Sequence, residues 1–136
     1  MASPPEWARE FLAAARVGRL ATSSAGAEPH VIPVCFALDG ETIYSIIDEK
    51  PKSGRRLKRL RNIDETGRAA LVVDHYDEDW TRLAWVMVRG PAVVTPATPR
   101  ARDLLREKYP QYRSMSLDDA EMIELTIELW TTWKSA

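Results

Sequence analysis

The chain has 136 residues, with 19 lysines and arginines against 20 aspartates and glutamates, for a formal charge of −1. That length suits one domain, residues 1–136, around one core, and a pI of about 6.1 gives no general pull toward polyanions, which argues against a dedicated nucleic-acid binder. One cysteine, Cys35, leaves no intrachain disulfide and no Cys-x-x-Cys metal site, and no run of 18 apolar residues marks a transmembrane helix.

"MASPPEWAREF" lacks a charged segment followed by an apolar one, so no signal peptide is expected. With a single thiol, the expected compartment is the reducing cytoplasm. "SPPEWAREFLAAARVG" (3–18) predicts a helix, with Trp7, Phe11, Leu12 and Ala15 at helical spacing and Gly18 as its stop. "GRLATSS" (18–24) predicts a short strand. "PHVIPVCFALDG" (29–40) predicts a second, and Asp39-Gly40 is a hairpin turn signal leading into "ETIYSIID" (41–48). "RRLKRLRNI" (55–63) reads as a helix. "RAALVVDHY" (68–76) and "LAWVMVRGPAVVT" (83–95) read as strands, the second with a Gly-Pro pair that predicts an edge, bulge or bend. "TPRARDLLREKYP" (98–110) is a helix with Thr98 as cap. "AEMIELTIELWTTW" (120–133) alternates as one half-buried strand, with Ile123, Leu125, Ile127 and Leu129 on one face. About six strands joined by short turns favour an antiparallel barrel with helices outside.

No dinucleotide fingerprint, phosphate-binding P-loop, zinc-protease motif or nucleophile elbow is present. His30 and His75 have no metal-ligand spacing with each other or with Cys35, so no metal is expected. Cys35 reads as a small hydrophobe, and "DHYDEDW" as a solvated turn rather than an acid/base pair. The strongest chemical signal is "DEKPKSGRRLKRLRN" (48–62), with seven basic residues between Lys50 and Arg61. On a helix, Arg55, Lys58, Arg59 and Asn62 share one face while Leu57, Leu60 and Ile63 form an apolar stripe. Lys50, Lys52, Ser53 and Gly54 precede it as a loop entering a helix N-terminus, which favours phosphate. A solvated amphipathic helix, a phosphorylated small ligand and a polyanion all fit this pattern. The acidic runs "DEDW" and "DDAEMIE" oppose the polyanion. Trp80, Trp85, Trp130 and Trp133 offer flat surfaces for packing or for covering a planar ligand.

The combination "DEKPK", "LKRLRNI", "LVVDHYDEDW" and "WVMVRG", in this order across residues 8 to 133, resembles the pyridoxamine 5′-phosphate oxidase-like flavin-binding split barrels. It is most similar to their branch that uses the deazaflavin coenzyme F-420. The resemblance implies a mainly β (α+β) fold, a six-stranded antiparallel split β-barrel with flanking helices. It also implies a homodimer with cofactor sites at the interface, and a small-molecule substrate rather than nucleic acid or membrane. It implies that His30, Val31, Ile32, Pro33 and Val34 lie along the cofactor ring, the backbone of Val31 to Val34 forming a cradle. Tyr44 and Ser45 would line the same pocket, Lys58 and Arg59 would hold the cofactor phosphate with Lys50, Lys52 and Arg55, and Trp85 would approach the ring from the partner subunit. The C-terminal Trp…Arg substrate pair of the true oxidases is missing, since no arginine follows Arg113. The expected activity is hydride transfer between deazaflavin and a small organic substrate, with no assigned catalytic side chain. FMN-dependent oxidation or reduction and a non-catalytic flavin or haem carrier are the alternatives.

Overall fold

The computed structural model describes residues 3–48 and 55–136. Among these residues, three α-helices, α1 (Glu6–Ala14), α2 (Lys58–Thr66) and α3 (Pro99–Lys108), flank eight strands. The strands are β1 (Gly18–Ser23), β2 (Pro29–Val34), β3 (Ala37–Asp39), β4 (Thr42–Ile46), β5 (Arg68–His75), β6 (Ala84–Pro96), β7 (Glu121–Thr126) and β8 (Leu129–Lys134). Their order is β2-β1-β5-β6-β7-β4-β3, with β8 also paired to β6, and every pairing is antiparallel. The two ends of this path, β2 and β3, are consecutive in sequence. The sheet therefore curls round and is joined at that seam by covalent chain, which is a split barrel.

Six strands were expected and eight form, because two of the predicted strands break. Residues 29–40 divide at Cys35-Phe36. There the Phe36 amide donates to the Tyr109 hydroxyl at 3.1 Å and the Lys108 ammonium donates to the Phe36 carbonyl at 2.9 Å, so side chains beyond the sheet take this backbone out of the ladder. Residues 120–133 divide at Ile127-Glu128. The Ile127 amide donates to the Glu41 carbonyl at 2.7 Å and that of Glu128 to the Arg89 carbonyl at 2.9 Å. The chain then swings from β4 and β6 onto the other half of β6. The alternation fails with it: Ile123, Leu125 and Ile127 are buried as expected, but Met122 is buried too and Leu129 faces outward.

β6 belongs to both halves of the barrel. Its first half lies between β5 and β8, and residues 92–96 pair β7. The switch falls at Gly90-Pro91, where a Cβ on Gly90 would sit 1.9 Å from the Thr126 carbonyl oxygen. The predicted bend is here, and it demands glycine. Asp39-Gly40 makes the expected β3–β4 hairpin, with Gly40 at φ +62°.

The barrel interior is filled by Leu20, Leu71, Val73, Val86, Val88, Ile123 and Leu125, and is capped by Ala8 and Leu12 of α1 and Leu60 and Ile63 of α2. A second apolar cluster joins Ala101 and Leu105 of α3 to Tyr109, Tyr112, Leu117, Ile46 and Met122. α3 starts as expected, with the Thr98 hydroxyl accepting from the Ala101 amide at 3.2 Å. No helix among the described residues is long and apolar enough to cross a membrane.

Between the clusters, Lys108 lies 3.9 Å from the Phe36 ring centre. Burial, and then the charge of Arg16, lower its pKa to about 8. The unfolded chain has an ordinary lysine pKa and so binds more protons between pH 8 and about 10.5. Stability therefore carries a penalty below pH 8 that is relieved as pH rises toward 10.5. Screening of a partly exposed amine leaves about 1 kcal/mol of this. Denaturant melts at pH 7.5 and 10 should show wild type gaining that much relative to Lys108→Met; a pH-independent difference would contradict the assignment.

Candidate functional site

β2 is an edge strand among the described residues, paired only to β1, with Thr22 opposite His30 and Ala21 opposite Val31. Period two sends its side chains to two faces. His30, Ile32 and Val34 turn toward the barrel side of Thr22, Leu20 and Gly18, and Val34 is buried. Val31 and Pro33 turn outward, and Val31 is 64% exposed.

α2 lies across this end of the barrel. It begins at Lys58, three residues later than expected, and Gly67 ends it in the left-handed conformation at φ +68°. The Leu60 amide donates to the Leu57 carbonyl at 3.1 Å, the helix amides before it have no intrahelical acceptor, and no side chain among the described residues caps this end. Amides and dipole together make it an anion-binding terminus. Arg55 is exposed beside it, Lys58 is half-buried, and Arg59 is buried. Lys50 and Lys52 lie outside the described residues.

The expected division of α2 into a cationic face and an apolar stripe is corrected by its burial. Arg59, Leu60, Asn62 and Ile63 are all buried, an arc of about 160° centred between the two expected faces. The helix turns this way because Asn62, fully buried, donates from Nδ2 to the Thr22 hydroxyl at 3.0 Å. Arg56 is committed elsewhere, pairing with Asp64 at 2.7 Å and Glu121 at 3.2 Å. Two polar atoms at the α2–β1–β2 junction, His30 Nδ1 and Asn62 Oδ1, are buried with no hydrogen-bond partner among the described residues. Buried polar atoms are rarely left so unless a ligand or water completes them. The uncapped helix end, the adjacent cations and these two atoms fit a phosphate-bearing ligand lying along β2. Thr22 and Asn62 were not singled out as binding residues, since their contact joins positions 40 apart in sequence.

Tyr44 and Ser45 point to opposite faces of β4. The Ser45 hydroxyl donates to the Cys35 carbonyl at 2.8 Å and is 5% exposed, so it stitches β4 to the β2–β3 elbow. Tyr44 packs with the α3 cluster, where burial and then Asp39 raise its pKa. Neither is brought to α2. Trp85 lies on the outer sheet face in a row with Asp74 and Trp133. Three strand spacings and several residues separate it from β2, roughly 15–20 Å, so one copy of the chain cannot bring Trp85 to its own β2. Cys35, a free half-buried thiol, sits at the elbow.

A family model described as pyridoxamine 5′-phosphate oxidase matches residues 4–134. The chain belongs to that family, among the split barrels. A 5a,11a-dehydrotetracycline/5a,11a-dehydrooxytetracycline reductase from Streptomyces rimosus is 34% identical over 93 residues, 68% of this chain and 64% of that protein, so the match spans less than two thirds of the relative. An F-420 reductase structure superposes with a TM-score of 0.67 at 22% identity, covering 94% of this chain and 98% of the other. A haem-binding protein from Mycobacterium smegmatis superposes with a TM-score of 0.74 at 20% identity, covering 99% of this chain and 56% of that one.

Proposed function

We propose that this protein is an oxidoreductase that binds the deazaflavin coenzyme F-420 and acts on a small organic substrate. The observation that carries this reading is the N-terminus of α2, with no side-chain cap among the described residues, with Lys58 and Arg55 beside it and, one turn on, Asn62 bonded to Thr22 opposite His30 of β2. The 34% identical relative named as a reductase and the fold neighbour named as an F-420 reductase support it. When bound, the deazaflavin supplies the hydride chemistry. The chain's own residues bind and orient. The first-turn amides of α2 and Lys58 hold the phosphate, and the backbone of Val31 to Val34 lies along the ring. Asn62 Oδ1 and His30 Nδ1 are available to polar atoms of the ligand. FMN carries the same phosphate and a ring of similar size, and is the second reading.

A second copy of the chain completes the site in this reading. The outer face of β2-β1-β5-β6-β8 presents Val31, Val72, Met87, Trp85 and Trp133, with Trp133 45% exposed. Covering that face removes apolar surface from water and lets the partner's Trp85 reach β2.

Tryptophan-fluorescence titration tests the cofactor. The expected result is micromolar or tighter binding of deazaflavin, weaker binding of FMN, and a dimeric mass by light scattering of the same sample. Tighter binding of FMN moves the reading to the flavin. Binding of neither overturns it, and a monomeric mass at micromolar concentration overturns the shared site.

A further inference from the structure

The outer sheet face that a second copy would cover also holds a cavity of about 490 Å³, in the same row as Val31, so in the dimer it is a pocket at the interface, within the usual size of small-molecule sites. Its floor is Ala21 and Ala70, paired across β1 and β5. Ala70 is paired in turn to Arg89 of β6, and Arg89 to Leu129 of β8, so one row of the sheet runs beneath it. Two methyl-sized side chains between larger neighbours leave the depression. Arg68 and Glu128 stand at its wall as an ion pair of 3.2 Å and cancel each other's charge. The Arg89 guanidinium makes no ion pair or hydrogen bond among the described residues, so the cavity carries one uncompensated positive charge. The Ser23 hydroxyl, also in the lining, donates to the Ser24 carbonyl at 3.1 Å and is engaged there.

The cavity is not the phosphate site. It abuts Thr66, at the far end of α2 from Lys58, about 12 Å along the helix axis. The carbonyl of Gly67, at the helix C-terminus, is taken by the Ala92 amide at 2.9 Å and so is engaged within the fold. An apolar floor and one unmatched guanidinium are the elements that recognise a flat organic acid.

We propose that this cavity is a substrate subsite for an organic monocarboxylate, with Arg89 pairing the carboxylate and Ala21, Ala70 and Leu129 receiving the apolar body. The proposal rests on the reading of the chain as a small-molecule oxidoreductase, but carboxylate binding is measurable without any cofactor.

Benzoate and its neutral counterpart benzamide are the probes, titrated by calorimetry into the purified full chain. Benzoate should bind at least tenfold more tightly than benzamide. Arg89→Ala should remove that preference while leaving the circular-dichroism spectrum unchanged, and Arg89→Lys should restore part of it. Glu128→Gln, which frees Arg68 to join Arg89, should tighten benzoate several-fold. Absence of benzoate binding, equal binding of the two probes, or full affinity in Arg89→Ala overturns the proposal. So does one-for-one displacement of benzoate by deazaflavin, which would assign the cavity to the cofactor. Deazaflavin titration of Arg89→Ala separates the two failures: retained cofactor affinity with no benzoate preference in wild type sinks this inference alone.

Discussion

Replacing Gly90 by alanine should abolish the native fold or cost at least about 4 kcal/mol, in the range of the most damaging single substitutions. The added methyl meets the Thr126 carbonyl oxygen at 1.9 Å and the Glu128 amide nitrogen at 3.0 Å. Both are backbone atoms and cannot rotate aside. Relieving the clash means drawing β6 away from the point where β7 hands over to β8, with loss of the 2.9 Å bond from the Glu128 amide to the Arg89 carbonyl. Gly40→Ala is the matched control: nothing lies within 4 Å of its added methyl, and only the positive φ is penalised, at about 1–2 kcal/mol. Urea denaturation of both variants decides it. A Gly90→Ala protein as stable as Gly40→Ala would show that the crossover is looser than these contacts require.

Lys58→Glu should weaken deazaflavin binding about 100-fold, and Lys58→Ala about tenfold. The first adds repulsion to the loss of a charge-assisted contact worth about 1.5–3 kcal/mol. The same change should leave folding intact, since a carboxylate in the first turn suits the helix dipole. Stability and affinity thus move independently, which marks a binding role. Arg59→Ala does not give this separation: Arg59 is 7% exposed, so its removal leaves a buried gap as well as a lost charge. Cofactor affinity unchanged in Lys58→Glu would remove the phosphate from this helix end.

Local signals in the sequence located the hairpin at Asp39-Gly40, the bend at Gly90-Pro91 and the cap at Thr98, because each acts within a few residues. The breaks at Cys35-Phe36 and Ile127-Glu128 were not legible. They depend on partners such as Tyr109 and Glu41, dozens of residues away. The basic helix was legible as an anion-directed element. Its rotation was not, because the Asn62–Thr22 bond that sets it outweighs the leucine stripe. The resemblance supplied the family, which residues 4–134 bear out, whereas projection alone had left phosphate, polyanion and plain solvation open.

The two prolines of β2 decide what can join its open edge. Proline has no amide hydrogen, so Pro29 and Pro33 belong to the residues turned away from β1, with Val31 between them. In an antiparallel strand a residue's amide and carbonyl point the same way. That edge therefore offers three carbonyl oxygens and a single N–H. Another strand seeking to extend the sheet would find three acceptors for one donor, so the edge resists aggregation and strand exchange. A heterocycle whose rim carries N–H groups faces no such mismatch.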